Sequence, residues 1–214
     1  MTAIIFDMDG VILESEPLHD DAARDVYESH GFGKGEELDE FLNNFRGSTD
    51  VDFWSFIIEH YNLDTPLKDF LQWKEESFLK LISERTIELM DGLCNVFEEI
   101  QDKPLALASS SSYSAINAIV DGLDIRDNFN VIVSGEDVEH GKPEPDIFLL
   151  AAKKLQVEPA ECFVIEDSRN GVRAANAAGM KSIGFYGSPS NKQDLSEAAV
   201  TIHHFRELTS VLSD

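Results

Sequence analysis

Ala3-Ile4-Ile5-Phe6-Asp7-Met8-Asp9-Gly10-Val11 is a run of four apolar residues, then two carboxylates one residue apart, then a glycine. Four consecutive apolar residues bounded by polar ones read as a short strand covered on both faces. The texture recurs at Leu105-Ala106-Leu107-Ala108, Val131-Ile132-Val133, Cys162-Phe163-Val164-Ile165 and Ser182-Ile183-Gly184-Phe185. Each run is followed by polar residues or glycine. Helical patterns lie between them, as from Ser114 to Val120 and from Asp146 to Leu155. Strands alternating with helices predict an α/β fold, a doubly wound Rossmann-like parallel sheet.

Residues 16–88 break that rhythm. Val51, Trp54, Ile57, Ile58 and Tyr61 recur at helical spacing, as do Leu67, Phe70, Leu71, Phe78, Leu81 and Ile82. The segment reads as an all-helical domain inserted after the first strand. It starts near Glu16-Pro17 and returns near Met90-Asp91-Gly92. The expected division is therefore 1–15 with 89–214 as the α/β core, and 16–88 as the insert.

Composition narrows the function. The 214 residues hold 41 acidic and 17 basic side chains, a net charge of −24. Duplex nucleic acid needs a basic face to neutralise its phosphates, so it is excluded as a partner, and an anionic membrane surface is disfavoured. Hydrophobic residues make up 43%, with 14 Phe, enough for a proper core. No apolar run reaches the 18 or so residues of a membrane span. The N-terminus lacks the basic flank of a signal peptide. Cys94 and Cys162 form no CxxC or Cys/His cluster, which argues against structural zinc. Both are expected to be buried thiols in a reducing compartment, the cytoplasm.

Open parallel sheets bind ligands at the carboxyl ends of their strands. There the sequence places Asp7 and Asp9, then Ser109 to Ser112, then Gly141-Lys142-Pro143, then Glu166-Asp167-Ser168. Carboxylates converging on one sheet edge repel each other unless protons or a cation intervene. Oxygen ligands without His or Cys select Mg2+ over zinc. A hydroxyl and an ammonium beside such a cation suit a phosphoryl group. One carboxylate there can attack phosphorus, and a second can handle the leaving group's proton.

With these four segments in this order, the sequence resembles the haloacid dehalogenase superfamily. Glu14-Ser15-Glu16-Pro17-Leu18-His19, Gly141 to Phe148 and Glu166 to Ala175 resemble the branch holding β-phosphoglucomutase and small sugar-phosphate phosphatases. The resemblance implies roles. Asp7 is the nucleophile, and Asp9 the general acid and then base. Ser109, Ser110 and Lys142 hold phosphoryl oxygens. Asp7, the Asp9 carbonyl and Asp167 hold Mg2+, with Glu166 either ligating or supporting. It also implies that the helical insert is a cap, with Arg46, Gly47 and His19 meeting substrate. Dehalogenases of the superfamily lack an acid at the position of Asp9, since a leaving halide needs no proton.

The expected activity is hydrolysis of a small phosphate monoester, a sugar or polyol phosphate, by a monomer. The alternatives are a phosphomutase of the β-phosphoglucomutase type and a phosphate-binding regulatory module without turnover. The mutase pattern places an arginine near Asp50 and a Lys-Asn pair near Ser112-Tyr113. A carboxylate at 50 would repel a second phosphate, which favours hydrolysis.

Overall fold

The computed structural model describes residues 2–32, 36–45, 48–187 and 193–212. They form two compact units, Met1–Ser15 with Ile87–Asp214, and Glu16–Thr86. In chain order, strand β1 (Ala3–Phe6) leads into helices α1 (Glu16–Ser29), α2 (Glu36–Asn44), α3 (Asp50–Tyr61) and α4 (Leu67–Glu84). There follow α5 (Leu93–Glu99), β2 (Leu105–Ser109), α6 (Tyr113–Gly122) and β3 (Val131–Ser134). Then come α7 (Asp146–Leu155), β4 (Cys162–Glu166), α8 (Arg169–Ala177), β5 (Lys181–Phe185), β6 (Val200–Ile202) and α9 (Leu208–Val211).

Among the described residues the strands make one six-stranded sheet in the order β3-β2-β1-β4-β5-β6, every pairing parallel. The four side chains of β1 are all fully buried. Alternate residues of a strand face opposite sides. Ile5 packs on one side, in a cluster with Phe148 and Ala151 of α7 and Ala174 of α8. Phe6 meets Phe97 and Phe129, ring centroids 5.7 and 6.1 Å away. Fully burying a side chain of that size contributes about 2–3 kcal/mol, so the site rests on a firmly anchored strand. The strand order reverses direction between β1 and β4, the switch point where such sheets open a crevice for ligands. Asp7 follows the one strand and Glu166 ends the other.

The sixth strand, Val200–Ile202, is an element the apolar runs did not predict, because only three residues pair. Cys162 is buried as expected, but Cys94 is exposed. Helix α5 buries Leu93, Val96 and Phe97, and Ile100 follows at the next turn, so position 94 falls outside the apolar stripe.

The second unit is built from α1 to α4 around Tyr27, Trp54, Ile57 and Phe70, with Trp54 stacked on Phe70 at 5.1 Å. Among the described residues no helix is long and apolar enough to cross a membrane.

Candidate active site

β1 delivers Asp7 to the sheet edge, and its backbone N–H still bonds to the carbonyl of Ile165 on β4, 3.0 Å away. The chain then turns at once: Ile12 N–H reaches the Met8 carbonyl and Gly10 N–H the Leu13 carbonyl. That turn requires a positive φ at Gly10, +74°. It also requires the absence of a side chain, because a Cβ on Gly10 would lie 2.0 Å from Oδ2 of Asp167.

The Lys142 ammonium is the hub. It donates to Asp7 Oδ1 at 2.5 Å and to Glu166 Oε1 at 2.6 Å, and lies 3.4 Å from the Ala108 carbonyl. Its side chain is 8% exposed, so the contacts are made out of water. Glu166 is fully buried, and its second oxygen accepts from the backbone N–H and the hydroxyl of Ser168, at 2.9 and 2.8 Å. Ser168 also caps α8, its hydroxyl accepting from Gly171 N–H at 3.0 Å. Both Glu166 oxygens are thus engaged within the protein.

Asp9 belongs to a second network. Its Oδ1 accepts from Ser15 at 2.5 Å, and its Oδ2 from Ser111 at 3.1 Å, with the Ser109 hydroxyl at 3.5 Å. Ser109 ends β2, fully buried, and its oxygen accepts from Ser111 N–H. Ser110 is exposed beside it. Ser112 caps α6 through Ala115 N–H.

One carboxylate oxygen from each of Asp7, Glu166 and Asp167 lies within 4.8 Å of the others. Three carboxylates against one ammonium leave a buried excess of negative charge. Burial pushes the pKa of Asp7 up, and Glu166 and Asp9 add to this against the pull of Lys142. Asp167 is raised for the same reasons: burial first, then Glu166, Asp7 and Asp9. Burial also works against the Lys142 ammonium, but Asp7 and Glu166 outweigh it and hold its pKa above the ordinary lysine value. An all-oxygen donor set with unneutralised charge fits a hard divalent cation.

The sequence profile of haloacid dehalogenase-like hydrolases matches residues 1–179, and those residues carry every group just described. The chain belongs to that family. This haloacid dehalogenase-like hydrolase is 34% identical to the "Phosphorylated carbohydrates phosphatase" of Thermotoga maritima, over 100% of this chain and 99% of that one. The crystal structure of CbbY from Rhodobacter sphaeroides in complex with phosphate is similar at a TM-score of 0.83 and 30% identity, covering 97% of this chain and 96% of that one. The β-phosphoglucomutase of Clostridium difficile is similar at a TM-score of 0.80 and 27% identity, covering 100% and 98%.

Not every expected site residue joins this cluster. Arg46 and Gly47 lie outside the described residues. In the helical unit of the hydrolase, His19 is stacked on Phe78 at 4.2 Å and its Nδ1 lies 2.7 Å from the Lys74 ammonium. Lys74, 6% exposed, also donates to Asp50 at 2.7 Å. Asp50 therefore balances a buried cation. Thr49 caps α3 in a capping box with Asp52, and Ser48 bonds the Phe45 carbonyl, so both hydroxyls serve the local backbone. Three serines that the motifs did not assign a role stand out: Ser15 and Ser111 on Asp9, and Ser134, described below. Their partners are six or more residues away and only folding reveals them.

Proposed function

We propose that the protein is a magnesium-dependent phosphatase of a small phosphorylated carbohydrate or polyol, working through an aspartyl-phosphate. The observation that carries this is the pair of carboxylates after β1, held in opposite ways: Asp7 by an ammonium, Asp9 by hydroxyls. An ammonium contact favours the anion, which is the attacking form. A serine hydroxyl can donate or accept, so the contacts of Asp9 can persist whether or not it carries a proton.

In the proposed sequence an Asp7 oxygen forms a bond to phosphorus as the ester P–O bond breaks. Asp9 gives its proton to the departing alkoxide. Asp9 then takes a proton from water as that water attacks phosphorus and the Asp7–phosphorus bond breaks. Lys142, Ser109 and Ser110 hold phosphoryl oxygens throughout. Asp7, Asp167 and the Asp9 carbonyl would hold Mg2+. Glu166, with both oxygens engaged, orients Lys142 and Ser168. Bound there, the cation would supply the positive charge that keeps Asp7 and Asp167 anionic. The helical unit is proposed as the cap that selects the ester, through His19, Arg46 and Gly47.

The likeness to a β-phosphoglucomutase keeps the mutase reading in view. Against it, Asp50 is spent on Lys74, and the pair adds no net positive charge for a second phosphate. The test is a panel of sugar and polyol phosphates with Mg2+, scoring phosphate release by the wild type and Asp7→Asn. Release lost in the variant is expected. Isomerisation of β-glucose 1-phosphate without release would make the protein a mutase, and release unchanged by Asp7→Asn would remove the nucleophile.

A further inference from the structure

The turn after β3 grips the loop after β2, and nothing in the proposed chemistry uses it. The two strands run side by side, with Ser109 and Ser134 as register partners at their ends. Ser134 is fully buried, and its hydroxyl donates to the Ser111 carbonyl at 2.6 Å. The same oxygen accepts from Glu136 N–H at 3.1 Å, which fixes the direction of its proton. Gly135 lies directly against the backbone of Ser110. A Cβ there would sit 2.5 Å from the Ser110 carbonyl oxygen and 3.2 Å from its Cα. Those are backbone atoms, so no rotamer change could relieve the clash. The grip continues into α6. Glu136 accepts from Tyr113 N–H at 3.2 Å, and Asp137 from the Tyr113 hydroxyl at 2.6 Å.

We infer that Ser134 and Gly135 are positioning residues, which set the backbone of Ser109–Ser112 and so place the hydroxyls that face Asp9. This rests on the reading that this loop meets the phosphoryl group. The linkage is short: Ser134 holds the Ser111 carbonyl, and the Ser111 hydroxyl donates to Asp9 Oδ2 at 3.1 Å. The Ser109 oxygen is tied to the same loop through Ser111 N–H. A displacement at Ser111 therefore moves the phosphoryl-binding hydroxyl and a proton-handling contact together. Gly135 sets how closely the two turns approach, and Ser134 sets their alignment.

The experiment uses the full chain with Mg2+, p-nitrophenyl phosphate as substrate and inorganic phosphate as competitive inhibitor. It compares Ser134→Ala, Ser134→Thr and Gly135→Ala with the wild type, and follows amide exchange in peptides spanning 105–116. Misplacement by about an ångström lowers kcat by tenfold to a hundredfold. That loss is expected in Ser134→Ala and Gly135→Ala, with weaker phosphate inhibition and faster exchange confined to residues 109–112. Ser134→Thr keeps the hydroxyl and is expected to keep kcat. Unchanged exchange in Ser134→Ala would overturn the grip, and faster exchange with unchanged kcat and phosphate inhibition would overturn its role in placement. Faster exchange across the whole sheet would reduce Ser134 to a packing residue. A wild type that releases no phosphate from any ester would instead sink the phosphatase reading, and the exchange measurement would still decide whether Ser134 holds the loop.

Discussion

Lys142 is one ammonium shared by two carboxylates, and its three N–H bonds cannot all serve the protein if it is also to bind a phosphoryl oxygen. Its aim therefore depends on Glu166, whose place depends on the lack of a side chain at position 171. A Cβ on Gly171 would lie 1.8 Å from the Glu166 carboxyl. Gly171→Ala is expected to lower kcat on p-nitrophenyl phosphate by about a hundredfold while the helix content by circular dichroism is retained. The proton role proposed for Asp9 has its own signature. A poor leaving group needs the acid and a good one does not. Asp9→Asn is expected to lose about 10²–10⁴-fold on alkyl phosphates and much less on p-nitrophenyl phosphate. An equal loss on both would remove Asp9 from proton transfer.

The elements show where patterning suffices and where it fails. Apolar runs on both faces announced a parallel sheet, because only strands buried between helices need them, and β1, β2, β4 and β5 are all of that kind. β6 carries an exposed Thr201 and pairs over three residues, too little to leave a pattern. Cys94 misled for the converse reason: helical neighbours of a buried leucine point elsewhere. Between β3 and α6 lies a contact with a pH signature. The hydrogen bond from Tyr113, joined by the Lys154 ammonium and Ser134 N–H, holds Asp137 below the usual carboxylate range. A carboxylate whose folded pKa is lowered stabilises above its unfolded value, near 3.9, and that stabilisation is lost as pH falls through the folded pKa. Asp137→Asn is expected to cost about 1 kcal/mol at pH 7. The gap in denaturation midpoints should close progressively below about pH 4. A gap independent of pH would mean that shape and not charge holds the turn.

At the scale of the whole molecule, a net charge of −24 faces an anionic substrate. Local cations act at contact distance, but the far field repels the approaching ester. Raising ionic strength from about 0.01 to 0.15 M shortens the screening length from roughly 30 to 8 Å. The value of kcat/KM for a doubly charged ester is expected to rise by about twofold or more over that range. A fall would point to a basic approach path. The same scale separates what the sequence disclosed about the site from what it withheld. The convergence of Asp7, Lys142, Glu166 and Asp167 was legible because each directly follows a strand or lies in a loop beyond one, where a charged residue stands out from the apolar run. Ser15, Ser111 and Ser134 were not, because serine is common at turns and its partner is chosen by the fold. The order of the sheet also governs how the chain can assemble as it is made. β1 pairs with β2 and β4, so its neighbours begin at Leu105 and Cys162. On the ribosome, at about 5–20 residues per second, this wholly apolar segment waits on the order of 5–20 s for its first partner. The helical segment from Glu16 to Thr86 has all its core residues synthesised roughly 1–4 s before then. The nascent chain thus finishes its insert while the strand that leads into Asp7 is still unpaired, a window in which a chaperone or a neighbouring polysome chain can capture it.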